Sequence, residues 1–265
     1  MSKRDSRKKE WVRERYGAIA AGKSCCSASS CCDAAAATAA KLGYGVNELA
    51  EAPQGANLGL GSGNPLALDT VAPGEIVLDL GSGAGFDAFL AAARVGPTGR
   101  VIGVDMTPEM IEKARANAER AGCDNVEFRL GDIEALPVED DSIDLVISNC
   151  VLNLVPNKAQ AFREIARVLK PGGRAAIADI VLDKPLPEAL QDDPELYCSC
   201  VGGAIPRAEY LEGLEAAGLV EVRVVSEADA AALLADDCCE CGTAASDFTG
   251  VATSIHVTGR KPKRD

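Results

Sequence analysis

The stretch VLDLGSGAGFD, Val77 to Asp87, runs from an apolar strand pattern into three glycines and then into a helical pattern. Glycines at 81, 83 and 85 let the backbone approach a ligand, and the helix that follows offers free amide groups at its N-terminus. Outward from this turn the same alternation repeats. Candidate strands are EIVLDLG, RVIGVDM, VEFRLGD, IDLVISNC and RAAIADIV, with helices predicted near 85–95, 108–121 and 159–169. Pro108 suits the first turn of its helix, and KPGG at Lys170 to Gly173 predicts a sharp stop for the last one. Strands that alternate with helices require crossover connections, and therefore a parallel sheet.

Composition divides the chain into three zones. Residues 66–182 carry the strand–helix alternation. Residues 1–65 combine a short basic helix, the Cys/Ser-rich SCCSASSCC, an Ala-rich helix at about 33–42 and the Gly-rich GANLGLGSGNP. Residues 183–265 hold LYCSCVGGA, a helix near 207–217 and two further strand candidates, VEVRVVS and ATSIHVTGRK. The part around 227–249 reads as a loop or a loose helix. No apolar run reaches the roughly 20 residues of a spanning helix, and the basic start has no apolar core behind it, so it is no secretory leader. A cytoplasmic protein with no membrane partner is expected. The formal charge of −13 argues against a nucleic-acid partner. Eleven cysteines in a chain that is neither small nor secreted point to metal or redox chemistry rather than to disulfides. The single histidine, His256, leaves almost nothing for a histidine base.

The glycine turn alone is ambiguous. Its spacing is G-x-G-x-G, not the G-x-G-x-x-G of dinucleotide enzymes, and it lacks a P-loop lysine. The next two strand ends narrow the reading. Asp105 is placed to accept from both ribose hydroxyls of an adenosine, with Met106 on the adenine face. Asp132 is placed to accept from the adenine amino group, with Ile133 alongside. Aspartate is also a common turn and capping residue, but three such elements at successive strand ends point together to an adenosine site. VLDLGSGAGFD, GVDMTPEMIEKAR, GDIEALP and FREIARVLKPGG resemble the motifs of the class I S-adenosylmethionine-dependent methyltransferases. The resemblance implies an α/β, Rossmann-like fold: a mostly parallel seven-stranded sheet with helices on both faces, its last strand antiparallel and supplied by SIHVTGRK. It also implies S-adenosylmethionine as methyl donor, held by Asp79, Gly81, Ser82, Gly83, Asp105, Met106, Asp132 and Ile133, with Asn149 at its amino-acid end.

Ligands of open parallel sheets bind beyond the carboxyl ends of the strands. Cys150 ends the fourth strand there, and the segment after the fifth carries Cys198 and Cys200. Soft sulfurs select a thiophilic centre, and trivalent arsenic keeps a lone pair that needs no base to become a nucleophile. ISNCVLNLVPNK, QGANLGLGSGNP and YCSCVGGAIPRAEYLEGLEAAGL are similar to the arsenite S-adenosylmethionine methyltransferases. That resemblance implies arsenic(III) as the substrate, bound by Cys150 and Cys200, with 183–265 as an arsenic-binding segment. Ser62 stands where members often have cysteine, so either a third thiol comes from Cys25, Cys26, Cys31 or Cys32, which is the expectation, or the substrate is already monomethylated trivalent arsenic. Methylation carries arsenic to the pentavalent state, so thioredoxin or a glutathione-type small thiol is expected as reductant. Cys238, Cys239 and Cys241 are open to arsenic transfer, disulfide resolution or adventitious metal, and Cys123 reads as structural. A monomer is expected. The rivals are a methyltransferase for a carbon or oxygen nucleophile such as a quinone, and a non-catalytic binder of thiophilic metals.

Overall fold

Apolar strands of five to seven residues need cover on both faces, and the computed structural model shows helices supplying it in two layers. The structure describes residues 2–22, 30–68, 71–186, 193–230 and 250–264, and for 30–34 the backbone alone. The strands are β1 (Ile76–Leu80), β2 (Arg100–Asp105), β3 (Val126–Leu130), β4 (Ile143–Asn149), β5 (Leu169–Leu182), β6 (Val220–Asp229) and β7 (Ala252–Arg260). They form one sheet in the order β3-β2-β1-β4-β5-β7-β6. β7 runs antiparallel to β5 and β6, and the other pairings are parallel. The expected sheet is therefore present, with SIHVTGRK inside its antiparallel strand. The strand order reverses between β1 and β4, which opens a crevice at their carboxyl ends.

Successive strand residues face opposite sides of the sheet, and the two cores follow from that. Leu78, Leu80, Ile102, Val104, Val146 and Ile177 pack one way, onto α6 (Lys158–Val168) and α8 (Arg207–Ala216). Val77, Val101, Leu145, Ile147 and Ala176 pack the other way, onto α4 (Phe86–Val95) and α5 (Pro108–Ala121). Each fully buried large apolar side chain contributes roughly 1.5–3 kcal/mol. Local sequence sets the helix ends. Pro108 opens α5, where its missing N–H costs nothing, and Gly122 closes it at φ 61°. The Asn157 side chain accepts the Gln160 amide at 3.1 Å and caps α6.

A third apolar cluster lies over the carboxyl ends of the strands. It joins Val12, Trp11 and Tyr16 of α1 (Lys3–Ala20), Leu196 to Cys198 of α7 (Pro194–Cys198) and Ile180 and Leu182 of β5. Residues 183–265 thus supply both the last two strands of the sheet and part of this cap. The remaining helices, α2 (Ser30–Lys41) and α3 (Val46–Glu51), stand on the α4 side.

KPGG behaves differently from the expected helix stop. α6 already ends at Val168, and KPGG lies inside β5 as an irregularity between the pairs Ile143–Leu169 and Leu145–Arg174. Gly172 takes φ 83° there, and the run finds its hydrogen bonds on Lys261 beyond β7. No described helix is long and apolar enough to cross a membrane.

Candidate active site

The glycine turn follows β1. Gly81 holds φ 65°, and a Cβ there would lie 2.3 Å from Val151 Cγ2. Only glycine allows that approach. Gly83 has φ 51°, and a Cβ there would meet only Met110 Sδ, at 4.0 Å, so its outer face is open. Asp105 ties the tip of β2 to this turn: its carboxylate accepts the Gly83 amide at 3.0 Å and the Thr107 amide at 2.8 Å. The Ser82 and Ser148 hydroxyls, at the ends of β1 and β4, are buried without a hydrogen-bond partner. Buried hydroxyls without a partner need an explanation, and a polar ligand at the strand ends is one.

Buried acids gather at this end of the sheet. Burial, then the Asp87 and Asp105 charges, push the Asp79 carboxyl well above the usual range. Burial raises Asp87 to about 6 and raises Asp105 as well. Three buried acids this close to one another favour a positively charged ligand.

Two of the expected donor residues are already engaged. Asp132 accepts the Glu134 amide at 3.0 Å and the Lys9 ammonium at 2.6 Å, and Lys9 also reaches Glu134 at 2.8 Å. Asn149 donates to Gly63 O at 2.8 Å, Tyr44 Oη at 3.0 Å and Asp87 Oδ2 at 3.1 Å, and accepts the Ser62 amide at 2.9 Å. It clamps the 61–64 loop onto β4. Ile133 is buried in the core, and Met106 packs on the third cluster.

Next to this crevice stand two thiols from distant segments. Cys150 follows β4 directly with φ 57°, and Cys200 follows α7 with φ 70°. The Cys200 thiol donates to the Cys150 carbonyl at 2.8 Å. The influence of the neighbouring Cys150 thiol, then burial, hold it well above the ordinary thiol range. Val151, next to Cys150, is the residue that packs on Gly81. One turn of chain therefore touches both the glycine loop and the thiol pair.

A family model for the methyltransferase domain matches residues 72–218. An arsenite methyltransferase of Halobacterium salinarum is 46% identical over 97% of this chain and 67% of its own length. The chain belongs to the arsenite methyltransferase family. An arsenite methyltransferase of Aquipseudomonas alcaligenes is 42% identical over 57% of this chain and 46% of its own length. The chain thus spans about half to two thirds of these two relatives. The crystal structure of an arsenic(III) S-adenosylmethionine methyltransferase from Chlamydomonas reinhardtii aligns with a TM-score of 0.64 at 33% identity. That alignment covers 87% of this chain and 73% of the other.

In this member of the arsenite methyltransferase family, the support beneath the thiols comes from residues that sequence reasoning passed over. The Asn153 side-chain amide donates to Asp179 Oδ1 at 2.7 Å and to Ile180 O at 2.6 Å. The Tyr210 hydroxyl donates to Asp179 Oδ2 at 3.1 Å. Lys158 donates to the carbonyls of Asn153 and Val155, both at 3.1 Å. Burial raises Asp179 to about 6 and lowers Lys158 to about 8. This network ties the turn after Cys150 to β5 and α8. Asn153 and Lys158 lie inside the quoted SNCVLNLVPNK, and Asp179 is a lone acid in the apolar AIADIV, so each had a visible mark. Tyr44 and Tyr16 had none.

Of the other cysteines, Cys198 is buried and raised to about 11 by burial, and Cys123 is half-buried in its turn. Among the described residues no cluster of three His, Cys, Asp or Glu could hold a metal. Cys25, Cys26, Cys238, Cys239 and Cys241 lie outside the described residues, while Cys31 and Cys32 are seen only as backbone of α2. Ser62 is buried with its hydroxyl unpartnered and lines a cleft of ≈ 140 Å³ with Ser226, Ser254 and His256.

Proposed function

We infer that the chain transfers the methyl group of S-adenosylmethionine to trivalent arsenic held by Cys150 and Cys200. The observation that carries this reading is the convergence of three distant segments: Cys200 on Cys150, and Val151 on Gly81.

The crevice suits the donor. Its buried carboxylates favour the sulfonium and ammonium charges, and the unpartnered Ser82 and Ser148 hydroxyls and the open face of Gly83 await polar groups. S-adenosylmethionine supplies an electrophilic methyl group when bound. Asp105 would take the ribose hydroxyls while keeping the Gly83 amide. Asp132 would accept the adenine amino group, because Lys9 has Glu134 as a second partner and surrenders only one of two ion pairs. Ile133 and Met106 would flank the adenine, and Asn149 would set the wall at the amino-acid end through its hold on the 61–64 loop.

The thiol pair suits the acceptor. Cys150 and Cys200 each lose a proton on forming an As–S bond, and those protons leave with two hydroxides of arsenous acid as water. The As–S bonds replace the hydrogen bond that the Cys200 thiol now donates to the Cys150 carbonyl and offset the cost of deprotonating a buried thiol. What remains is to aim the arsenic lone pair at the methyl carbon, a task of proximity and orientation. The thiol segments do this by being anchored on Gly81 and Asp179. Methyl transfer leaves arsenic pentavalent, so a thioredoxin-type dithiol or small thiol must return two electrons for a further cycle.

The test is donor turnover by the full chain with a small-thiol reductant. Formation of S-adenosylhomocysteine should depend on added arsenite and be matched by methylated arsenic. Equal formation without arsenite would contradict the reading.

A further inference from the structure

An arsenic atom bound by two thiolates keeps one ligand of its original three. If that ligand is hydroxide, a polar O–H enters an apolar surround and needs a partner. The cluster around Cys150 and Cys200 contains two phenols, Tyr16 and Tyr197. Tyr197 is committed, donating to Leu154 O at 3.0 Å. Among the described residues the Tyr16 hydroxyl reaches Cys198 O, at 3.4 Å, the outer limit of a hydrogen bond. Ser199, the other hydroxyl nearby in sequence, is committed to Leu196 O at 2.8 Å. Ser62 opens instead on the cleft beside His256.

Tyr16 is placed by its helix. Gly17 lets α1 lie close on α5, since a Cβ there would meet Glu109 Oε2 at 3.2 Å. Lys9, two turns earlier, is locked on Asp132 and Glu134. The α1 helix thus spans from the adenine end of the crevice to the thiols. The charges that bear on the Tyr16 hydroxyl, after its own burial, are those of Cys200, Cys150, Cys198 and Asp105. It lies in the same apolar cluster as Cys150 and Cys200, with its hydroxyl directed at the carbonyl of Cys198, two residues before Cys200.

We propose that Tyr16 recognises substrate by donating a hydrogen bond to the hydroxide retained on arsenic bound to Cys150 and Cys200, and so sets the preference for inorganic arsenite. This rests on the reading of Cys150 and Cys200 as the arsenic ligands. The exchange balances. Arsenous acid loses two hydroxides, which take the two thiol protons as water, and keeps the third, so arsenic stays trivalent. Monomethylarsonous acid has only two hydroxides, so its dithiolate complex carries a methyl group in that place and gives Tyr16 nothing to bind.

Two measurements on the full chain test the proposal. X-ray absorption at the arsenic K edge, with less than one equivalent of arsenite and no donor, should show two As–S bonds and one As–O bond. Three As–S bonds would overturn the proposal, give the third place to an N-terminal thiol, and leave the reading of Cys150 and Cys200 intact. The absence of As–S bonds would overturn both. In Tyr16→Phe, the ratio of kcat/KM for arsenite over monomethylarsonous acid should fall about tenfold, the effect of one lost hydrogen bond to a buried polar group. Equal losses on both substrates would mean that Tyr16 only packs, and an unchanged ratio would equally overturn its assigned role. Unaltered donor binding by Tyr16→Phe would verify that the variant is folded.

Discussion

Cys150 at φ 57° and Cys200 at φ 70° occupy a left-handed backbone region that costs a non-glycine residue roughly 1–2 kcal/mol. Strain at two cysteines that meet is best explained by what their side chains do. Replacing Cys150 with serine keeps the backbone and removes the soft ligand. Methylation should fall by at least about a thousandfold, while donor binding is preserved. Cys150→Gly should lose methylation equally yet match or exceed the wild-type melting temperature, because the strain is relieved. Retained turnover in either variant would remove Cys150 from the site. That Cys150 and Cys200 meet was legible because motif and strand-end position agreed. The Asp179 network beneath them was not, since Asn153, Lys158 and Asp179 are each marked in the sequence but only the fold brings them together with Tyr210.

Among elements, the decisive contact is between the turn after Cys150 and the segment after α7. A Cβ at Gly203 would lie 2.0 Å from the Asn153 carbonyl oxygen. Gly203→Ala should push Cys200 off Cys150, destabilise the chain by about 1–3 kcal/mol and weaken arsenite binding more than tenfold. Donor affinity, measured by calorimetry, should stay within about twofold, because the nearest neighbours of a Cβ at Gly203 are Asn153 and Tyr197 rather than residues of β1 or β2. Equal losses of both ligands would show that the two sites do not divide as described. The strands and the long helices were readable from periodicity, with boundaries shifted by a few residues. α3 and α7 were not, being six and five residues long and too short for a period to show. The place of α1 across the crevice was also hidden, since Lys9 on Asp132 joins residues 123 apart.

For the whole molecule, the sheet order puts the reversal between β1 and β4, and the buried acids gather at that crevice. Their titration gives a pH dependence of defined sign. Asp87 is raised from 3.8 to about 6, so its ionised form is disfavoured in the folded, donor-free chain. This cost is absent below about pH 4 and complete above about pH 6, and a cationic donor relieves it. Affinity for S-adenosylmethionine should therefore rise with pH through about 6, by up to about tenfold per pH unit for each proton released. S-adenosylhomocysteine, which lacks the sulfonium charge, should show a shallower rise. Parallel profiles would remove the acids from charge recognition. The central claim is spatial: arsenic sits between Cys150 and Cys200, beside the Gly81 turn. A crystal of the chain with arsenite and S-adenosylhomocysteine, recorded at the arsenic absorption edge, tests it most directly. The account predicts an anomalous peak within bonding distance of both sulfurs and facing the ligand in the crevice. A peak confined to other cysteines, with none at Cys150, would contradict it.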